Sequence, residues 1–323
     1  MTPTIKKMMA RPEMAALLIF LALFVLFSVL NDRFLTSGNM TVYLQPIPEL
    51  AIVAMGITVL IIAGEFDLSV GSVFGLSPMV TVLLMQSGWP TAVAILIGLA
   101  VAALIGFCNG LITLRLKIPS FIATLGMLFM ARSLAIVLAG GFPPVFPREL
   151  DVSWLVGRID LGLVTPRVSL IYMIVIAMVL GFVLRRTDFG HWIFATGGHP
   201  QAARDMGIKT QRVKMACFVI CATLAGFAGI IQSFRVKVIV PNLGTGLEMQ
   251  AIAAAVIGGV ALTGGVGSVL GAVVVTLLIA MLENILILSG VNANWFMFAV
   301  GAMIVVAVVL NTQTRLKAEG IKG

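Results

Sequence analysis

Apolar residues run through this chain in blocks of bilayer length, separated by brief polar punctuation. A helix crosses a membrane with about 20 consecutive apolar residues. The pattern predicts spans near 14–30, 46–63, 69–86, 90–114, 119–139, 166–184, 213–233, 247–262, 266–288 and 292–310. The expected fold is therefore an all-α polytopic membrane protein of about ten transmembrane helices, one transmembrane domain over residues 1–323. The connections at 64–69 and 262–266 are very short, so either flank reads as a broken or re-entrant helix. Such backbone is tolerated only where protein or a water-filled cavity covers it. The first apolar run follows Lys6, Lys7 and Arg11, as a signal peptide would. It is longer than a signal core and lacks a small-x-small cleavage site before Asn31, so an uncleaved first span is expected. No repeat of 20–50 residues and no low-complexity tract is visible.

Composition agrees with lipid as the solvent. The chain is 60% hydrophobic and 11% charged, against about 25% charged in soluble domains. Mean hydropathy is +1.13. The net charge of +8 does not imply nucleic acid, because the basic residues sit at span ends rather than in an aromatic-studded patch. Their distribution sets topology instead. With the N-terminus cytoplasmic, ten spans place Lys6, Lys7, Arg11, Arg115, Lys117, Arg315, Lys317 and Lys322 inside, with a long basic loop. Outside fall Arg33, Arg148, Arg158, Arg167, Arg235 and Lys237. Both termini are thus expected in the cytoplasm. The cysteines Cys108, Cys217 and Cys221 all lie in apolar stretches, and an odd number argues against a disulfide framework. Cys217 and Cys221 stand one helical turn apart without a His, Asp or Glu beside them, so no metal site is expected.

The long basic loop, residues 185–214, carries both histidines and six Lys/Arg residues: Arg185, Arg186, Arg204, Lys209, Arg212 and Lys214. Within it Pro200 suits a first helical position, Gln201 to Met206 are mostly helix formers, and Gly207 supplies a left-handed stop. The expected outside loop, 140–166, contains Pro143, Pro144, Pro147, Trp154 and Pro166 and reads as a partner surface or as a linker.

Ionisable groups in apolar spans are costly and so are candidates for function. Here they are Glu49, Glu65, Asp67, Arg132, Glu248 and Glu283, the last followed by Asn284. Glu49 and Glu248 lie near span ends and read first as interfacial. Asp67 or Ser69 is placed to cap the third span. Arg132 needs a carboxylate or a wet cavity. Asp67, Ser69, Arg132, Glu248, Glu283 and Asn284 form the candidate translocation path. The small residues of 251–268 suit close helix packing or a path wall. No G-x-x-x-x-G-K-[ST] cradle occurs. His191 and His199 lie in the basic loop with no nucleophile at hand, so no catalytic set and no cofactor are expected.

Four stretches together resemble one family. Ala195-Thr-Gly-Gly-His-Pro-Gln-Ala-Ala-Arg-Asp-Met-Gly207-Ile208-Lys209 is similar to the coupling-loop stretch Gly-Asn-x-x-Ala-Ala-x-x-Ser-Gly-Ile of ribose-type monosaccharide permeases in bacterial ABC importers. Gly64-Glu-Phe-Asp-Leu-Ser-Val-Gly71 resembles that family's Gly-Gly-Ile-Asp-Leu-Ser-Val-Gly, and Pro119 to Gly126 its Pro-x-Phe-Ile-x-Thr-Leu-Gly. Gly258-Gly259 with Leu262 to Ser268 resembles its Gly-Gly…Gly-Gly-x-Gly-Ser. Departures are His199 where Asn is frequent, Asp205-Met206 for a polar-Ser pair, and Glu65-Phe66 where Gly-Ile is usual.

The resemblance implies a permease subunit, not an enzyme, in the bacterial inner membrane. It would pair with a second permease, identical or paralogous. A cytoplasmic ABC ATPase would drive it, and a periplasmic sugar-binding protein would feed it a monosaccharide or small polyol. Pro200–Met206 becomes the coupling helix. Gly198, His199, Pro200, Ala202, Ala203, Arg204, Asp205 and Gly207 become the coupling residues, with Ala202 and Ala203 facing the ATPase groove and Arg204 and Asp205 on its rim. The alternative is an ion-coupled secondary transporter, with Arg132 and Glu283 or Asp67 as a relay.

Overall fold

The computed structural model describes residues 12–147, 151–240, 242–292, 295–303 and 305. The expected N- and C-terminal positions therefore lie outside the described residues. Thirteen helices follow one another: α1 (Pro12–Leu30), α2 (Ser37–Leu44), α3 (Ile47–Ile62), α4 (Val70–Gln86), α5 (Thr91–Arg115), α6 (Ser120–Leu138), α7 (Ser153–Val156), α8 (Ser169–Arg186), α9 (Asp188–Gly198), α10 (Pro200–Asp205), α11 (Thr210–Val236), α12 (Leu247–Ile257) and α13 (Val269–Leu288). Residues 295–303 are also helical. Among the described residues there is no strand, only an isolated bridge between Arg158 and Arg167.

Among the described residues, six helical stretches are long and apolar enough to cross a bilayer: Ser37–Ile62, Thr91–Arg115, Ser120–Leu138, Ser169–Arg186, Thr210–Val236 and Val269–Leu288. Ala16–Leu30, Val70–Gln86 and Leu247–Ile257 are shorter apolar helices. The span expected over 247–262 is thus an 11-residue helix, about 16 Å long at 1.5 Å per residue, which is half a bilayer. Gly258 caps its end, and Gly259, Gly264 and Gly265 follow with φ of +96°, +82° and +76°, so the apolar run continues as a turn rather than as helix.

The centre of the bundle is α3, buried at every residue from Ile47 to Ile62, against α11, which also packs on α4 and α5. Glycines permit this closeness. A Cβ on Gly56 would stand 3.2 Å from the Cys221 backbone, and one on Gly226 2.6 Å from the Ala102 methyl. Two ion pairs pin α3 and α11 antiparallel: Glu49–Arg235 at 2.7 Å at one end and Glu65–Lys214 at 2.6 Å at the other. Glu49 is 2% exposed, so it is a buried partner and not the interfacial group its position near a span end suggested. Removing one member of a buried pair leaves an uncompensated charge. Arg235→Ala is expected to destabilise the solubilised protein by about 3–5 kcal/mol. Glu49→Gln/Arg235→Gln recovers most of the loss in a thermal melt.

The rim is apolar. Leu96, Leu104, Phe107, Phe129, Val137 and Phe182 on α5, α6 and α8 face outward, as lipid-contacting surface does. The 140–166 loop is ordered in part by Asp151, whose carboxylate accepts bonds from the Ser153 amide and hydroxyl (3.0 and 2.7 Å) at the start of α7. Those bonds hold its carboxyl below the usual range.

Candidate functional site

The basic loop folds as a helical hairpin of its own. Thr187 caps α9 by accepting the Gly190 amide at 3.2 Å. Gly197 and Gly198 end α9, and His199 turns the chain at φ −140°, ψ 79°. Pro200 then opens the six-residue α10 at its first position. Gly207, at φ +85°, closes it, its amide bonding Arg204 O at 2.8 Å while the Ile208 amide bonds Ala203 O at 3.0 Å. Both expected terminators are therefore where the sequence puts them.

The faces of α10 differ from expectation in one residue. Ala203 is 3% exposed, packed into this chain and not turned outward, because a single-turn helix must bury one side to persist. The exposed residues are Gln201, Ala202, Arg204, Asp205 and Met206, the last 84% exposed. Gln201 and Asp205 bond across one turn at 3.1 Å. Arg204 folds back, its Nε on Pro200 O at 3.2 Å.

Where α9 ends, three distant segments meet backbone against backbone. The Gly265 amide donates to Ile62 O at 2.9 Å. Gly64, at φ +84°, lies so close that a Cβ there would sit 3.5 Å from Gly197 Cα. A Cβ on Gly264 would stand 3.0 Å from Gly64 Cα, and one on Gly265 2.5 Å from Gly198 Cα. These two short connections therefore seat the C-terminal end of α9, immediately before α10. Glycine serves here by letting main chains touch, which side chains would prevent.

The 63–69 break is held by side chains from neighbouring helices. Ser120 Oγ accepts the Phe66 amide at 3.1 Å, and Thr124 Oγ1 accepts the Leu68 amide at 3.1 Å. Asp67 is fully buried. Its Oδ1 accepts the Ser69 amide (2.7 Å) and hydroxyl (2.6 Å). The Asn109 amide donates to Asp67 Oδ2 at 3.1 Å and to Ser69 Oγ at 2.9 Å. Asp67 thus closes a turn before α4 instead of capping its first-turn amides, and Ser69 makes no side-chain cap bond. Asn109 was absent from the sequence-based set. Its signal was present: a carboxamide alone among apolar residues of a 25-residue helix.

The remaining path candidates fall in two other places. Arg132 bonds Ser72 Oγ at 3.3 Å and Thr245 Oγ1. Glu248 lies near the same junction, its Oε1 accepting the Gly246 amide at 3.2 Å, and its Oε2 is among the atoms a Cβ on Gly71 would meet. Arg132 Nη2 and Glu248 Oε2 are buried without a partner. Asn284 instead exchanges two bonds with Asn39 (3.0 and 2.8 Å), tying α13 to α2. Glu283 lines a recess of about 210 Å³ with Glu49, Gln232, Gln250 and Phe296. Asp67 thus bonds Ser69 and Asn109, Arg132 reaches Ser72 one turn further along α4, and Glu283 and Asn284 lie on α13. Among the described residues, no three His, Cys, Asp or Glu side chains group as metal ligands would.

Known proteins match this chain over nearly its whole length. Residues 39–308 match the family described as branched-chain amino acid transport system / permease component. The Autoinducer 2 import system permease protein LsrC of Escherichia coli O157:H7 is 32% identical over 311 residues, covering 95% of this chain and 89% of its own. The Xylose/arabinose import permease protein XylH of Sulfolobus acidocaldarius is 35% identical over 301 residues, covering 91% and 82%. The Salmonella typhi LsrC is 31% identical over 307 residues, covering 94% and 86%. No solved structure matches. Match length, all-helical fold and bilayer-length apolar helices agree: this chain is a multi-pass membrane protein belonging to the permease-component family of the branched-chain amino acid transport system type.

Proposed function

We infer that this chain is the inner-membrane permease subunit of an ATP-driven ABC importer, and that its cargo is a monosaccharide or a related small hydroxylated solute. The observation that carries this is α10: a short, separately punctuated helix that follows directly on the end of α9, whose Gly197 and Gly198 sit on the backbone junction of two broken segments. A helix of six residues has little stability alone. A push on α10 reaches both breaks through the end of α9, which touches them main chain to main chain. The named relatives import autoinducer 2 and xylose/arabinose, which supports the cargo class. A cytoplasmic ABC ATPase receives α10, a second permease completes the path, and a periplasmic binding protein delivers the solute.

Ten crossings with both termini inside is the finer topology within this reading, the eighth made by the half-helix α12 together with its irregular flanks. It is supported by proximity: segments 64–69, 116–119 and 262–266, all assigned to the inside by charge, gather around α9 and α10. Glu49 and Arg235, assigned outside, pair at the far end. The ion-relay alternative needs Arg132 beside Asp67 or Glu283. Arg132 is instead spent on Ser72 and Thr245.

Ala202 and Met206 share the outward face of α10 one turn apart, and both are exposed. Ala202→Glu is expected to leave expression and melting temperature unchanged, to lower uptake at least about tenfold, a loss near 1.4 kcal/mol of coupling, and to release ATP hydrolysis from solute control. Ala203→Glu instead buries an unpaired charge and lowers the amount of folded protein. Uptake by Ala202→Glu equal to that of the native chain, in vesicles carrying the cognate ATPase, would defeat the placement of α10.

A further inference from the structure

We propose that the cleft between α10 and the α5–α6 turn is a binding site for a phosphate group. The cleft measures about 300 Å³ and is lined by Glu65, Thr113, Lys117, Arg204, Gln211 and Lys214, among others. Three cations face one carboxylate. Glu65 and Lys214 are 2.6 Å apart and neutralise each other, which leaves Lys117 and Arg204 as the excess positive charge on opposite walls. Among the described residues neither has a carboxylate partner within ion-pair distance. The Thr113 hydroxyl, at the same wall, is buried with no partner. Two unpaired cations with hydroxyl and amide donors between them match the several acceptor oxygens of a phosphate.

Lys117 adds a second observation. It sits at φ +57°, just past the C-terminal residue of α5, where glycine is usual because a Cβ in this region costs about 1–2 kcal/mol. A lysine there trades backbone ease for an exposed ammonium lining the cleft. Arg204 is exposed and lines the cleft, with its Nε tethered to Pro200 O at 3.2 Å. A phosphate held by both would join α10 to the α5–α6 turn and restrain the helix that the ATPase is inferred to move. The phosphate can come from an anionic lipid headgroup or from a soluble phosphate ester, since the cleft lies at the junction of α5 and α6, both long and apolar enough to cross a bilayer.

The test reads lysine reactivity in the full chain in phosphatidylcholine nanodiscs, by amine acylation and peptide mass spectrometry. One arm adds inorganic phosphate at fixed ionic strength. The other replaces part of the lipid with phosphatidylglycerol and omits phosphate. Acylation of Lys117 is expected to fall about tenfold when ligand stands at about ten times its dissociation constant, with Lys209 unchanged. Protection in the first arm alone identifies a soluble ligand. Protection in the second alone identifies a headgroup, and protection in both identifies a site open to either. Arg204→Gln, at an exposed position, is expected to abolish the protection. Equal slowing at Lys117 and Lys209, no slowing in either arm, or full protection in Arg204→Gln would overturn the proposal. The assay reads no transport, so a negative result leaves the transport reading standing.

Discussion

Gly197→Val leaves little folded protein in the membrane and no measurable uptake. The reason is the absence of room for any Cβ. One built on Gly197 collides with the Ile62 carbonyl oxygen and stands 2.8 Å from the Gly265 amide and 2.9 Å from the Ile62 carbonyl carbon. These are main-chain atoms that cannot rotate aside. The Ile62 oxygen is also the acceptor of the Gly265 amide, so separating the segments breaks the bond that joins them. Overpacking a well-fitted interior costs about 1–3 kcal/mol even where side chains can yield, and here the neighbours are backbone, so a loss above about 3 kcal/mol is expected. Fluorescence-detected size exclusion and a thermal melt measure it. Gly181→Ala in α8 is the control: nothing lies within 4 Å of the added methyl, and relief of glycine's helix penalty makes it neutral or stabilising by up to about 1 kcal/mol.

The second large effect is at Asp67. Asp67→Ala removes the acceptor for the Ser69 amide, the Ser69 hydroxyl and the Asn109 amide, all in a fully buried setting. Each buried donor left without a partner costs about 1–3 kcal/mol, so a loss of about 3 kcal/mol or more is expected. Loosening of the 63–69 break also reaches the junction below α9, so uptake falls beyond what the loss of protein explains. Asp67→Asn is milder. Asn109 Oδ1 is buried and unpartnered, so a flip of that carboxamide offers an acceptor to the new amide while Oδ1 of residue 67 keeps Ser69. Comparable melting temperatures for the Ala and Asn variants would contradict this account of the turn.

What could be read from the sequence was local. The Pro200 start and Gly207 stop need only their own φ preferences, and both hold. Bilayer-length apolar runs named α5, α6, α8, α11 and α13 to within a few residues. That a flank of 262–266 is a broken helix was legible from the shortness of that turn, but not that α12 is the broken one, because hydropathy counts apolar residues and is blind to the positive φ of Gly259 and Gly264. The inward turn of Ala203 was hidden because a single helical turn gives no periodicity to read. The junction of Gly64, Gly197 and Gly264–Gly265 joins segments separated by more than 130 and by more than 60 positions. Each glycine could be seen in sequence, but their meeting could not. The same holds for the pairing of Glu65 with Lys214 and of Glu49 with Arg235. Arg132 did need partners, as its place in an apolar span implied, and it found hydroxyls rather than a carboxylate.

The central claim is that ATP hydrolysis on a separate subunit, delivered through α10, drives this chain. The most direct measurement is solute uptake by cells or vesicles carrying the chain with its cognate ATPase and binding protein, under two treatments. ATP depletion at a maintained membrane potential is predicted to stop uptake, while an uncoupler at maintained ATP leaves it running. Uptake that survives ATP depletion and collapses with the uncoupler would contradict the account.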